Sequence, residues 1–251
     1  MTITVSPNDN DIETALRTFL LSALPQGAAA FGGLISGTTL TVTNKTSGSL
    51  LPGMTLNAPG LIPGTQVLAQ LTGTLGGIGT YQVSVGQSIS VENMNAFGVD
   101  VILGQINRVP QPAGPDFVVM WAMSRERLET NVDFYQDIPS AGNTTFTNKT
   151  RVNFQLDVHG PNSAAFAQII TTLFRDDYAI QNFQNSSNFP ITPLYADDPR
   201  QLPFINAEDQ YENRWVIDAA MQADQVVSGV ITQFAAAAAM NLIINTSTIP
   251  P

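Results

Sequence analysis

Apolar residues near the start of the chain recur at the three- and four-residue spacing of an amphipathic helix. Asp9 or Asn10 can cap such a helix, and Pro25 ends it because proline cannot continue the backbone hydrogen bonding. The pattern therefore predicts a helix over residues 9–24. Its apolar stripe consists of Ile12, Ala15, Leu16, Phe19, Leu20 and Ala23.

Strand patterns follow after residue 100. The run 151–159 alternates apolar and polar side chains, and the run starting at Phe117 is apolar enough to be buried on both faces. A second helix is predicted over 162–178, and a further strand from about 211 to 222. This order predicts an α+β fold, with an antiparallel or mixed sheet of about four strands and two helices on one face.

Between these patterns lies a stretch of different composition. From residue 31 to 97 only Lys45 and Glu92 are charged, and short Gly-, Thr- and Val-rich runs are separated by turn signals such as Pro52-Gly53. We predict a small all-β module over 31–97, inserted into an α+β domain made of 1–30 and 98–251. The same pattern predicts that a chain lacking 33–96 still folds.

The segment from Pro193 to Asp218 combines prolines, arginines and aromatic residues, and most of it lacks a helical or strand period. Aromatic residues and arginine are enriched where proteins contact each other. The segment therefore predicts a contact surface rather than a solvated loop.

Composition narrows the possible functions. Charged residues make up 12% of the 251-residue chain, against roughly 25% in an average protein, which favours a surface covered by neighbours. The net charge of −10 argues against a nucleic-acid-binding face. The sequence contains no cysteine and one histidine, which excludes thiolate chemistry and multi-histidine metal sites. We therefore expect no cofactor, no bound metal and no catalytic site. Because the sequence shows no signal peptide and no membrane span, we expect the protein to assemble in the cytoplasm.

Two long blocks resemble the bacteriophage neck or tail-terminator family. The first contains GQINRVPQPAGPDFVVM and RERLETNVDFY, and the second contains VNFQLDVHGPNSAAFAQIITTLFRDDYA and PLYADDPRQLPFINAEDQYENRW. The resemblance covers residues 9–24 and about 99–224. It implies a structural virion protein that forms a ring at the head–tail junction, usually of six copies, and leaves a channel for DNA. The implied partners are further copies of the chain, the connector or adaptor, and the tail-tube proteins.

Rings of this kind use head-to-tail contacts, in which one patch meets a different patch on the next copy. The arginines can pair with carboxylates across such a contact or within one chain, and the aromatic residues can anchor an interface or pack in a core. Both possibilities remain open for each residue. The ten candidate inter-subunit residues are Arg108, Arg125, Arg127, Tyr195, Asp197, Asp198, Arg200, Phe204, Tyr211 and Arg214.

Two other functions make specific demands on the sequence. A carbohydrate- or receptor-binding virion module on an α+β carrier would need exposed Trp or Tyr side chains, and the 31–97 segment offers only Tyr81. A glycosidase would need a pair of carboxylates, and no spacing singles one out. Neither pattern favours these functions over a structural one.

Overall fold

A computed structural model describes residues 3–107, 112–138, 141–205 and 211–232. The chain begins with strand β1 (Thr4–Ser6) and helix α1 (Asp9–Ala23), as the apolar stripe predicted. The predicted cap at Asp9 or Asn10 is wrong: Asn8 is the N-cap, in a capping box in which the Asn8 and Asp11 side chains each accept a backbone hydrogen bond from the other residue.

Four strands follow and form a separate sheet. They are β2 (Ala28–Gly48), β3 (Thr55–Asn57), β4 (Val67–Gly73) and β5 (Gly79–Phe97), in the order β2-β5-β3 with β4 also paired to β5. Their apolar side chains form a core cluster of their own around Leu40, Met54 and Tyr81. The division of the chain at 31–97 stays a prediction.

The remaining elements build the main sheet. These are β6 (Asp100–Leu103), β7 (Phe117–Arg127), β8 (Val132–Ile138), β9 (Ala141–His159), α2 (Ser163–Phe174), α3 (Asp177–Ser186), β10 (Ile191–Ala196), β11 (Arg200–Gln201), β12 (Phe204–Ile205), β13 (Tyr211–Glu212) and β14 (Arg214–Thr232). The sheet has eight strands in the order β1-β14-β9-β7-β6; β10 and β11 also pair with β14, and β8 with β9. It curls like half a barrel. The short strands β12 and β13 form a hairpin beside it.

The predicted α+β class, with about four strands and two helices on one face, is therefore wrong. The chain is mostly β, and the described residues contain three helices. Strands β9 and β14 each run for 19 residues and pair along nearly their whole length, so the sheet extends far beyond the alternation that was recognised. The predicted helix over 162–178 corresponds to α2, which ends at Phe174, and most of α3, whose start is capped by the Asp176 side chain, lies beyond the predicted end.

The core lies between the sheet and the helices. Val152, Phe154, Leu156 and Val158 of β9 are buried in one cluster with apolar residues of all three helices. Within it, Phe19 packs edge-on against Phe174 and in parallel against Phe183. Because side chains alternate along a strand, the opposite side of β9 carries Arg151, Asn153, Gln155 and Asp157. We call this opposite side of the main sheet the helix-free face.

The second half of β14 contains a register shift against β9 between Val227 and Val230. Gly229 lies in this bulge with φ +86°, a left-handed conformation that glycine adopts without a steric penalty. The sheet bends locally here while the pairing of the two strands resumes beyond it.

Candidate assembly surface

A shallow groove of about 400 Å³ lies on the helix-free face between β7, β9, β10 and β14. Amide and hydroxyl groups connect the strands across it. Arg151 Nε donates to Asn153 Oδ1 at 2.9 Å, and Asn153 Nδ2 donates to Ser124 Oγ at 2.9 Å. The Arg151 guanidinium also lies 4.9 Å from the centre of the Tyr195 ring. These polar groups of the groove are therefore already engaged within one chain, and apolar residues such as Met123 and Ala220 line the rest of it.

The cationic side chains of this face are all paired with acids of the same chain, within the part that the structure describes. Arg200 pairs with Asp218, and Arg214 Nη2 lies 2.6 Å from Asp157 Oδ2. The two remaining pairs are Lys149 with Glu129 at 3.2 Å and Arg151 with Glu126 at 3.9 Å. Among the described residues, this face thus offers polar groups but no unpaired arginine or lysine.

One end of the helix-free face is closed by aromatic packing around His159. The imidazole stacks on Phe117 with ring centres 4.6 Å apart, and the edge of Phe204 approaches it at 5.4 Å. His159 Nδ1 lies 2.8 Å from Glu212 Oε1, and the Arg214 guanidinium lies 5.8 Å from the Phe204 ring. These contacts hold the β12–β13 hairpin against the end of β9.

Nine of the ten predicted contact residues lie among the described residues and fall into two groups, of which the first, with seven members, has partners within the chain. Arg200, Arg214, Phe204 and Tyr195 make the contacts described above. The others of this group, with their partners, are Arg125 with Asp9, Asp198 with Arg175 at 3.0 Å, and Asp197, whose backbone N–H donates to Asp218 O at 2.8 Å. Next to the Arg125–Asp9 pair, burial raises the pKa of the Glu13 carboxyl. The charge of Asp9 raises this pKa further, and the charge of Arg125 opposes the rise.

The second group is exposed. The Tyr211 side chain is 83% exposed, and Arg127 lies exposed at the end of β7 without an ion pair among the described residues. Arg108 lies outside the described residues. The structure of one chain shows intrachain pairing, and the inter-subunit roles of all ten residues stay predictions. Trp215, by contrast, packs partly buried against the core.

A buried polar cluster, not recognised in the sequence, joins the two sheets. The Asp116 carboxylate accepts from Thr55 Oγ1 at 2.7 Å, from the Asn162 backbone N–H at 2.9 Å and from Asn162 Nδ2 at 3.0 Å. Its partners lie 61 and 46 residues away along the chain, so no local pattern could reveal them. The cluster ties the turn before α2 to the sheet that contains β3.

The other functions gain no support from these contacts. Tyr81 is fully buried and donates a hydrogen bond to Gly77 O at 2.6 Å, so its ring is not available to stack on a sugar. Among the described residues, no group of three or more His, Asp or Glu side chains is arranged to hold a metal ion. No helix in the described ranges is long and apolar enough to cross a membrane.

The fold and its surface define a mostly β protein whose polar residues are engaged in structural contacts. A family model described as phage neck terminator protein matches residues 78–246, more than half of the chain. The chain belongs to this family of phage structural proteins, as the sequence resemblance predicted. Membership implies a place in the virion and contacts with other head or tail proteins. No curated protein matches the sequence.

Proposed function

We propose that copies of this chain form a closed ring at the head–tail junction, which caps the tail tube, joins it to the connector and leaves a channel for DNA. Membership of the neck terminator family supports the location. A low content of charged residues, 12%, supports extensive contact with neighbouring copies and proteins. Tyr211 and Arg127 are members of the predicted contact set that are exposed and make no ion pair among the described residues.

The pairing of charges on the helix-free face supports the proposed DNA channel. Affinity for DNA grows with the number of phosphates neutralised by lysine and arginine, because each such contact releases condensed counterions. On this face each described cation already faces a carboxylate of its own chain. A channel lined by this face would present hydrogen-bonding groups without net positive charge, and DNA would pass without being retained.

Native mass spectrometry of the purified protein, together with negative-stain images of the same sample, tests the ring. We expect closed rings, most simply of six copies. A protein that stays monomeric at high concentration and in the presence of phage tails would contradict the proposal.

A binding measurement tests the channel surface separately. The double variant Asp218→Asn/Glu126→Gln leaves Arg200 and Arg151 without their acidic partners. We expect it to bind double-stranded DNA at low salt, measured by fluorescence anisotropy, with an affinity that falls steeply as salt is added.

The matched control for that measurement is Glu92→Gln/Asp177→Asn, which changes the net charge equally but lies away from the helix-free face. We expect it to bind DNA as weakly as the unmodified protein. Equal DNA binding by the two double variants would show that overall charge, and not pairing on this face, keeps DNA from sticking.

A further inference from the structure

Four strands of the main sheet extend beyond the helices as an arm. The arm consists of β8, residues 141–149 of β9, residues 224–232 of β14, and β1, in the order β1-β14-β9-β8. The core cluster under the helices takes its residues from Val152 onward in β9 and up to Ala223 in β14. No described residue of the arm therefore belongs to that core.

Both edges of the arm carry exposed apolar side chains. On β8, Val132 is 57% exposed and Phe134 is 64% exposed. At the opposite edge, Val5 of β1 is 44% exposed, and Ile3 just before the strand is 62% exposed. An edge strand offers unpaired backbone groups to another chain, and proteins usually protect such edges with lysine, proline or bulges. Strand β8 contains no lysine or proline and its pairing with β9 shows no bulge; its two acids are Asp133 and Asp137.

The two edges match each other in direction. Every neighbouring pair within the arm is antiparallel, so β1 and β8, separated by three pairings, run in opposite directions. A ring operation about an axis roughly parallel to the strands keeps strand directions unchanged from copy to copy. Strand β8 of one copy would then meet β1 of the next in the antiparallel arrangement, the more stable of the two pairings.

The two edges also match in height along the arm. Val5 pairs with Val227, Val227 with Phe146, and Phe146 with Asp133, so these four residues form one row across the sheet. A neighbouring copy can therefore place its β1 beside β8 with little displacement along the strands.

We infer that strand β8 of one copy pairs with strand β1 of the next, so that the arms form one continuous antiparallel sheet around the ring. This inference rests on the proposed ring, and its occupant is a second copy of the same chain. The contact is head-to-tail, since two different edges meet, and such contacts close into rings or extend into filaments.

The absence of cysteine allows a clean cross-linking test. In the double variant Val5→Cys/Asp133→Cys the two thiols of one chain are three strand spacings apart, about 14 Å, whereas a disulfide requires Cα atoms within about 7 Å. Only neighbouring copies can join them. The register between the two copies can differ from this one by two residues. Two further double variants therefore place the second cysteine at Asn131 or at Tyr135 instead of Asp133, because both positions lie on the same side of the chain as Asp133.

We expect mild oxidation to give a ladder of covalent oligomers on a non-reducing gel, ending at the copy number that native mass spectrometry finds. Mixing the two single variants should give dimers only, and each single variant alone should stay monomeric on the gel. Circular dichroism verifies that each variant is folded.

The outcomes separate this inference from the proposed function. Rings in solution with no ladder in any of the three registers would overturn the edge pairing and leave the ring intact. A ladder without closed rings would support the pairing and overturn the ring. Neither rings nor ladder would overturn both.

Discussion

Replacing Asp116 with alanine should weaken the whole protein, because this buried carboxylate joins the turn before α2 to the sheet that contains β3. It accepts three hydrogen bonds, from Thr55 Oγ1 and from the backbone and side-chain nitrogens of Asn162. A hydrogen bond to a charged group contributes about 1.5–3 kcal/mol, and each buried donor left unpaired costs about 1–3 kcal/mol. Removal of the buried charge returns part of its desolvation cost.

Because these contributions share one group and are not additive, we expect a net loss of about 3 kcal/mol in the free energy of unfolding. For a chain of this size that loss lowers the melting temperature by about 6–12 °C. Differential scanning calorimetry of the purified protein measures the change.

The matched control is Thr55→Val, which removes one of the three donors and keeps the side-chain volume. We expect it to cost about 1 kcal/mol. If Asp116→Ala lowers the melting temperature by less than about 2 °C, or no more than Thr55→Val does, the carboxylate does not stabilise this junction and the reasoning is wrong.

Four further predictions follow from other contacts. Gly160→Ala should lower the melting temperature by several degrees, because φ is +106° and a Cβ would lie 2.3 Å from a carbonyl oxygen. The Cβ of Gly37→Ala would meet no neighbour within 4 Å, so this variant should lower the melting temperature less, and equal melting temperatures would contradict the reasoning. Burial raises the pKa of Tyr81, so the unfolded chain ionises first above about pH 10 and stability should fall with rising pH. Tyr81→Phe should show a smaller fall in thermal melts, and an unchanged fall would refute the assignment. Arg200→Ala should reduce ring assembly in native mass spectra without unfolding the monomer; full assembly would exclude Arg200 from the interface. A chain lacking 33–96, bridged by a short Gly/Ser linker, should remain soluble and still oligomerise, and loss of all folded protein would show that this segment belongs to the main core.

Local signals explain which elements could be predicted from the sequence. Helix α1 has a complete apolar stripe and a following proline, and each signal depends only on neighbouring residues, whereas the cap lies at Asn8 and not at the predicted Asp9 or Asn10. The alternation of β9 over 151–159 is equally local. Helix α3 was missed because only Ala179 and Phe183 of its ten residues are buried, too few for a clear apolar stripe, and the Asp176 side chain is its main start signal. The second half of β14 was missed because polar residues such as Gln225 are buried there.

The contacts of the candidate surface could be anticipated by residue type but not by partner. The sequence indicated that arginines would meet carboxylates, yet Arg214 pairs with Asp157 across 57 positions and Arg200 with Asp218 across 18. Pairing of this kind depends on the register of β14 against β9 and β11. That register follows from the long strands, whose length the short predicted strands did not reveal.

The bulge at Gly229 has a consequence for the number of copies. If arms join edge to edge, each copy turns the sheet through a fixed arc, and the ring closes only when these arcs add to a full circle. The arc depends on local curvature, which the left-handed glycine in the bulge helps to set. Symmetry of the assembly would then be encoded in the shape of a single subunit rather than in the specificity of any one side-chain contact.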